Sequence, residues 1–189
     1  MDSKFLLKLQ TLHSRTENAP EGISIDDIPS SEELLEYSNV MVIPSGLTKE
    51  TLNHLTRLGS HVADCVDRDY PEESIETFIK LTNDMKPSVI VAGSRGTGLV
   101  RAFLKKIKGT TVTRVVLFGP VHLRVFFEAC PTTLNVLIVH GKHDTNERIN
   151  TVRGLVQEFR ATLVETNQAH GLNMEYDSLH KLIKYILKK

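Results

Sequence analysis

The sequence contains no tryptophan, only two cysteines and no excess of charge of either sign. Its 23 lysines and arginines are balanced by 23 aspartates and glutamates over 189 residues. Proteins that bind the nucleic-acid backbone carry a surplus of positive charge, so this balance argues against that function. With 40% apolar and 24% charged residues, the composition is that of an ordinary globular protein.

The two cysteines, Cys65 and Cys130, lie in separate apolar stretches. Neither belongs to a CxxC pair, and neither has histidines nearby in the order of a metal site. We therefore expect two reduced thiols in a cytoplasmic protein, with no bound metal.

Long apolar runs are also missing, since none approaches the roughly 18 residues needed to span a bilayer. Residues 1–8 lack the basic leader followed by an apolar core that marks a secretory signal. These absences predict a protein without membrane association. The length favours one domain over residues 1–189, in which residues 1–38 form a less clearly patterned N-terminal appendage.

Short apolar runs are present instead, and four of them are unbroken and rich in β-branched residues. They cover residues 40–43, 89–92, 115–118 and 136–139. Such runs are typical of strands covered on both faces in a parallel sheet. Weaker runs at 61–66 and 162–165 add two strands, and residues 22–25 could form another short one.

Helical patterns alternate with these runs. They begin near Leu47, Pro71, Leu99, Glu147 and Leu172. Thr48 is placed to cap the first of these helices, and Pro71 fits the first turn of the second. The alternation predicts an α/β fold with a mostly parallel open sheet of about six strands and helices on both faces. Ligand sites in such folds lie beyond the carboxyl ends of the strands.

The most informative motif follows the strand at 89–92. A serine nucleophile on a sharp turn between a strand and a helix needs small residues two positions before and after it. Ala92 and Gly96 meet this requirement around Ser94. In such a turn the next backbone N–H, that of Arg95, faces the same space as the hydroxyl.

The same segment has an alternative interpretation as a loop that binds phosphate. Gly93, Gly96 and Gly98 could present amides to an anion at a helix N-terminus. The spacing matches neither GxGxxG nor GxxxxGK[ST], and no acidic ribose partner follows about 20 residues later. A doubly wound nucleotide-binding domain therefore remains a distant alternative.

Two further candidates follow later strands. Asp144 lies just beyond the strand at 136–139, where an acid can hold a catalytic imidazole in the right tautomer. Its alternative role is to cap the next helix. His170 follows the weak strand at 162–165, and its alternative role is that of an ordinary surface residue.

Residues 40–189 resemble the α/β-hydrolase fold in a reduced form. Ala-Gly-Ser-Arg-Gly at 92–96 resembles the nucleophile elbow, Val-His-Gly-Lys-His-Asp at 139–144 the acid turn, and Gln-Ala-His-Gly at 168–171 the histidine loop. The resemblance implies that Ser94 attacks an acyl carbonyl, His170 moves the proton and Asp144 orients His170. It implies a small-molecule acyl substrate and no cofactor.

The resemblance also implies an oxyanion hole built from two backbone amides. One is that of Arg95, and the second comes from the loop after an earlier strand, here around Ser45 and Gly46. This loop lacks the His-Gly or Gly-Gly run that is common in esterases and lipases. Ala92 also replaces the usual first glycine of the elbow.

The substrate side of the site is expected to be open. Many relatives insert a helical lid where this chain has only residues 119–135, which argues against a long-chain lipase. We expect Leu47, His122 and Arg124 to contact the substrate. Arg95, Arg124, Lys142 and His143 would form a basic rim that favours a substrate with a carboxylate or phosphate, although solvated surface charge is the alternative.

The sequence therefore predicts a serine hydrolase that cleaves an ester, thioester or related acyl bond. The alternative is a non-catalytic protein of the same fold that binds a small ligand or a protein partner. A large separation between Ser94 and His170 would favour that alternative.

Overall fold

The protein is described by a computed structural model that covers residues 20–28, 39–57, 60–63, 72–107 and 109–187. Seven strands form one sheet in the described ranges: β1 (Ile23–Ser24), β2 (Val40–Val42), β3 (His61–Val62), β4 (Val89–Gly93), β5 (Arg114–Phe118), β6 (Asn135–Gly141) and β7 (Thr162–Thr166). The strand order is β1-β7-β6-β5-β4-β2-β3, and each neighbouring pair is parallel. The α/β class with an open parallel sheet is confirmed.

The part of the chain that the structure describes also contains six helices: α1 (Lys49–Arg57), α2 (Glu72–Met85), α3 (Gly96–Lys106), α4 (Leu123–Ala129), α5 (Ile149–Phe159) and α6 (Tyr176–Leu187). A 3-10 turn, Ile25–Asp27, follows β1. No helix in the ranges that the structure describes is both long and apolar enough to cross a membrane.

The unbroken apolar runs of the central strands arise because helices cover both faces of the sheet. Met41, Ile90 and Leu117 face one core, which α2, α3, α4 and α5 complete. Val42 and Val116 face the opposite core, which is completed mainly by α1 and α6. Adjacent residues of a strand therefore enter different cores, and no position along these strands needs to be polar.

The sheet has seven described strands rather than the expected six. The seventh is β1, which lies within the segment 22–25 that could form a short strand; Ile23 pairs with Val164 and Ser24 pairs with Glu165 of β7. Only two residues take part, so the pattern of apolar and polar side chains marks this strand weakly. The backbone N–H of Gly22 donates to the Glu165 carboxylate at 2.7 Å and fixes this edge of the sheet.

Several element boundaries also differ from those expected. Helix α3 begins at Gly96 rather than near Leu99, because the chain turns immediately after Ser94. Helix α6 begins at Tyr176, four residues later than expected. Thr48 does cap α1, since its Oγ1 accepts from the Thr51 N–H at 3.2 Å. Cys65, Pro71 and most of the expected appendage, residues 1–19 and 29–38, lie outside the described residues.

Candidate active site

Ser94 lies in the turn between β4 and α3, at the carboxyl edge of the sheet. Its φ of +41° is in the left-handed region, which residues other than glycine seldom adopt. The Ser94 N–H donates to the carbonyl of Phe118 at 2.9 Å, which ties the turn to β5. The main chain at Ser94 is therefore held in a strained conformation by the neighbouring strand.

Small residues around Ser94 allow other backbone segments to approach the turn. A Cβ added to Gly93 would lie 2.7 Å from the carbonyl oxygen of Gly46. A Cβ added to Gly96 would lie 3.1 Å from the carbonyl oxygen of Ser45 and 3.3 Å from the Cβ of Ala92. The small residues on either side of Ser94 thus have a physical reason, since larger ones would displace the loop after β2.

That loop contains the two candidate oxyanion residues Ser45 and Gly46, and it lies beside Ser94. Gly46 has a φ of +80°, and a Cβ there would lie 2.7 Å from the Ser94 Cβ. The Leu47 N–H is used within the turn, where it donates to the Pro44 carbonyl at 3.2 Å. The Arg95 N–H makes no hydrogen bond to the described residues.

Hydrogen bonds connect Ser94, His170 and Asp144 in one chain. The Ser94 Oγ lies 2.8 Å from Nε2 of His170. The other ring nitrogen of His170, Nδ1, lies 2.7 Å from Oδ2 of Asp144. The geometry is that of a nucleophile, a base and an acid that orients the base.

Asp144 is buried, and each of its carboxylate oxygens accepts a hydrogen bond. Oδ1 accepts from the backbone N–H of Asn146 at 2.8 Å, while Oδ2 faces His170. Helix α5 has Arg148 as its N-cap residue, without a hydrogen bond from a capping side chain. Asp144 therefore does not cap this helix, which was the alternative role weighed from the sequence.

Two glycines let the loop with His170 lie close to the strand ends. A Cβ on Gly119, where φ is +49°, would lie 3.0 Å from the His170 carbonyl oxygen. A Cβ on Gly141 would lie 2.2 Å from the carbonyl oxygen of Gln168. The ends of β5 and β6 thus provide the space into which the histidine loop folds.

A second histidine, His140, lies behind the acid and is fully buried. Its Nε2 donates to the backbone carbonyl of Glu147 at 2.7 Å and lies 3.8 Å from Oδ2 of Asp144. Burial lowers the pKa of His140 below its ordinary value, although the Glu147 carbonyl and the Asp144 charge act in the opposite direction. The lowered pKa favours the neutral ring, and its hydrogen bond to Glu147 holds the loop after β6.

A cleft of about 660 Å³ opens over Ser94 and His170. Thr97, Gly98 and Arg101 of α3 line one side. Four further lining residues lie in the first part of α4 and just before it, namely Val121, His122, Val125 and Phe126. Its volume is in the range of small-molecule sites, and it combines an apolar wall with a few polar groups.

Of the three residues expected to contact the substrate, only His122 is among the residues that line this cleft. His122 lines the cleft at the N-terminus of α4. Arg124 lies on the outer side of that helix and pairs with Glu158 of α5 at 3.1 Å. Leu47 packs against the core between the sheet and α6, and it does not line the cleft.

Of the four residues expected to form a basic rim, Arg95 lines the cleft, whereas Arg124, Lys142 and His143 do not. Lys142 lies 3.7 Å from Glu165, and the ring of His143 bonds to Asn167 at 3.1 Å. The cation that the sequence reasoning missed is Arg101, seven positions after Ser94. Residues 3, 4 and 7 positions after a helix start share one face, and this spacing could have identified it.

No protein-family model and no curated protein matches the chain in sequence. Solved structures do match. The esterase domain of a Rhodothermus marinus protein has a TM-score of 0.57 and 12% identity, covering 84% of this chain and 89% of that one. An alpha-beta serine hydrolase homologue from Coxiella burnetii has a TM-score of 0.55 and 14% identity, covering 81% and 85%.

The thioesterase domain from the curacin biosynthetic pathway is also similar. It has a TM-score of 0.55 and 12% identity, and the match covers 81% of this chain and 92% of that one. At these identities the likeness is one of fold. It extends over most of the length of each of these proteins.

Proposed function

We propose that this chain, whose fold is that of the α/β-hydrolases, is a serine hydrolase that cleaves an ester, thioester or related acyl bond. The observation that carries the proposal is the continuous chain of hydrogen bonds from Asp144 through His170 to Ser94. The likeness to an esterase domain and a thioesterase domain supports the same class of reaction.

In the first step of the proposed reaction, the Ser94 Oγ attacks the acyl carbonyl carbon. His170 Nε2 accepts the hydroxyl proton, and the buried carboxylate of Asp144 stabilises the imidazolium that forms. The tetrahedral intermediate then collapses, and His170 gives the proton to the leaving oxygen or sulfur as its bond to the carbonyl carbon breaks. The acyl group is left as an ester of Ser94.

In the second step, a water molecule attacks the carbonyl carbon of the acyl-enzyme, and His170 takes a proton from that water. The bond from the acyl carbon to Ser94 breaks, His170 returns the proton to the serine, and a carboxylic acid is released. Negative charge develops on the carbonyl oxygen in both steps, and donors near Ser94 would stabilise it. The Arg95 amide is our candidate for one donor, with Ser45 or Gly46 providing the other.

A large separation between the serine and the histidine would have favoured the alternative of a non-catalytic binding protein. The 2.8 Å contact between Ser94 and His170 gives it no support. A phosphate-binding loop is disfavoured by the same contact, because it assigns no role to His170 or Asp144.

The proposal is tested by replacing Ser94 with alanine. We expect a fluorophosphonate probe to label the unmodified protein at Ser94, and S94A to lose at least about 10⁴-fold in kcat on short-chain esters and thioesters. The matched control is Ser88→Ala, which removes a half-buried hydroxyl just before β4, at the opposite edge of the sheet. Full esterase activity in correctly folded S94A would refute the proposed nucleophile.

A further inference from the structure

The cleft beside the nucleophile extends along one face of α3. The lining residues Ser94, Thr97, Gly98 and Arg101 have the spacing of a single helix face, and Arg95 lines the cleft beside Ser94. Arg101 is seven residues beyond Ser94, a rise of about 10 Å along the helix axis. Its Cα–Cβ bond tilts towards the helix N-terminus, so the side chain starts in the direction of the serine.

Arg101 and Arg95 differ from two other arginines near the site in forming no ion pair with a described residue. Arg124 pairs with Glu158, and Arg153 pairs with Glu165. Arg101 is half-buried, and its buried Nε–H has no hydrogen-bond partner among the described residues. A buried donor without an acceptor is costly, which suggests that the acceptor is supplied by a bound molecule.

The other charged groups of the cleft do not neutralise Arg101. Glu147 is the carboxylate among the lining residues, and its Oε1 accepts from the backbone N–H of Leu123 at 3.3 Å. It forms no ion pair with Arg101 or Arg95. Arg95 adds a second positive charge, so the arginines outnumber the carboxylate in the cleft.

We propose that Arg101 binds an anionic group of the substrate, a carboxylate or a phosphate, while Ser94 attacks an acyl carbonyl of the same molecule. The inference rests on the proposed function and names its substrate class. A guanidinium presents donors in a planar fork that matches both kinds of anion, and an anion bound to Arg101 would help to orient the acyl group over the serine.

The test compares three series of p-nitrophenyl esters of increasing acyl length, ending in a methyl, a carboxylate or a phosphate group. We expect higher kcat/KM for one or both anionic series, with an optimum length that reports the distance from Ser94 to Arg101. In Arg101→Met the anionic advantage falls by about 10- to 100-fold, the usual effect of losing a hydrogen-bonded charge partner. The neutral esters keep their rate, which shows that the variant is folded.

Two control variants sharpen the comparison. Lys105→Met removes an exposed positive charge from the same helix, outside the cleft, and should leave the anionic advantage unchanged. Arg101→Lys keeps the charge without the fork and should retain part of the advantage. Equal kcat/KM for anionic and neutral esters of every length, or an equal loss on both in Arg101→Met, would overturn the proposal.

Failure of the anion site must be separated from failure of the hydrolase proposal. We would therefore measure glutarate binding by calorimetry in Ser94→Ala and in the Ser94→Ala, Arg101→Met double variant, which needs no turnover. At least tenfold weaker binding in the double variant supports the anion site even if no ester is cleaved. Equal binding in the two variants, or none in either, rejects it even if esters are cleaved.

Discussion

Asp144 and Glu165 are buried carboxylates near the carboxyl ends of two neighbouring strands, β6 and β7, and their side chains are 0% and 1% exposed. Asp144 accepts a hydrogen bond from an imidazole, that of His170. Glu165 accepts from the guanidinium of Arg153 through both of its oxygens, each at 2.7 Å. Two acids with similar burial thus have partners of different kinds.

The partner determines what each acid can do. Arginine keeps its positive charge at every pH of interest, so the charge of Glu165 is neutralised permanently and serves to hold structure. Histidine is neutral until it takes a proton, and the field of Asp144 is then available to stabilise the imidazolium. An acid that supports proton transfer therefore needs a partner whose charge can change.

The largest effect is expected from Asp144→Asn. The amide keeps the size of the side chain and an oxygen for the Asn146 N–H, but its NH₂ group would face Nδ1 of His170. This favours the tautomer in which Nε2 carries the proton and cannot accept one from Ser94. We expect kcat on esters to fall about 10⁴-fold, while the free energy of unfolding changes by about 1 kcal/mol.

The control for this substitution is Asp84→Asn, at an exposed position in the last turn of α2. It should change neither kcat nor stability measurably. If Asp144→Asn retained most of its activity, Asp144 would be a structural acid like Glu165. The proposed difference in role between the two acids would then be wrong.

The opposite result is expected from Glu165→Gln, which removes the charge that Arg153 faces. Breaking a buried ion pair from one side should lower the free energy of unfolding by about 3 kcal/mol. Kinetic constants should change little, because Glu165 makes no contact with Ser94 or His170. Urea unfolding and ester kinetics on the same preparation measure both quantities.

The contribution of Glu165 to the free energy of unfolding should decrease at low pH. Burial by itself raises the pKa of Glu165, but hydrogen bonds from Arg153 and Gly22 outweigh it and hold the pKa below the ordinary value. The stabilisation is complete above the unfolded pKa of about 4.5 and is lost as the pH falls through the lowered value. The variant should lack this acid-induced loss.

Glu158→Gln is the control for Glu165→Gln, because its ion pair with Arg124 is exposed. We expect it to cost less than about 1 kcal/mol. A loss of activity in Glu165→Gln at unchanged stability would contradict the assignment of Glu165 to structure.

The central strands and the elbow could be predicted from the sequence because each has a local cause. Residues 89–92 are apolar since both faces of β4 are buried, and Gly96 is small since the Ser45 carbonyl and the Ala92 side chain approach it. These requirements leave a mark within a few neighbouring residues. The fold class follows from such marks.

Features that depend on distant partners are marked weakly or not at all. Residues 22–25 could be identified only as a candidate short strand, because β1 is held in part by a hydrogen bond from Gly22 to Glu165, 143 positions away. The sequence places Arg124 at the rim of the site, whereas the structure pairs it with Glu158. Arg101 is not identified from the sequence, and its Nε–H has no hydrogen-bond partner among the described residues. The cations that are available in the cleft can therefore be identified only from the structure, which shows the ion pairs that the other charged side chains form.

The smallest effect is expected at His140, which lies next to Asp144 but is bonded to the Glu147 carbonyl. His140→Gln should cost about 1 kcal/mol at pH 7.5, the usual contribution of one hydrogen bond. It should reduce kcat only slightly, because Asp144 keeps its bonds from Asn146 and His170.

The pH dependence of this cost tests whether His140 is neutral in the folded protein. Asp144, Glu147 and His170 all act on its ring, and burial, the largest influence, lowers its pKa. As the pH falls below the unfolded value of about 6.5, the unfolded chain therefore takes up a proton that folded His140 does not, and the unmodified protein loses stability. The variant is spared this loss, so the difference in unfolding free energy should be smaller at pH 5.5 than at pH 7.5. The pKa of His54, which burial also lowers, contributes to both proteins and cancels. A larger difference at pH 5.5 would mean that His140 is charged, and Asp144 would then resemble Glu165 in having a cation beside it.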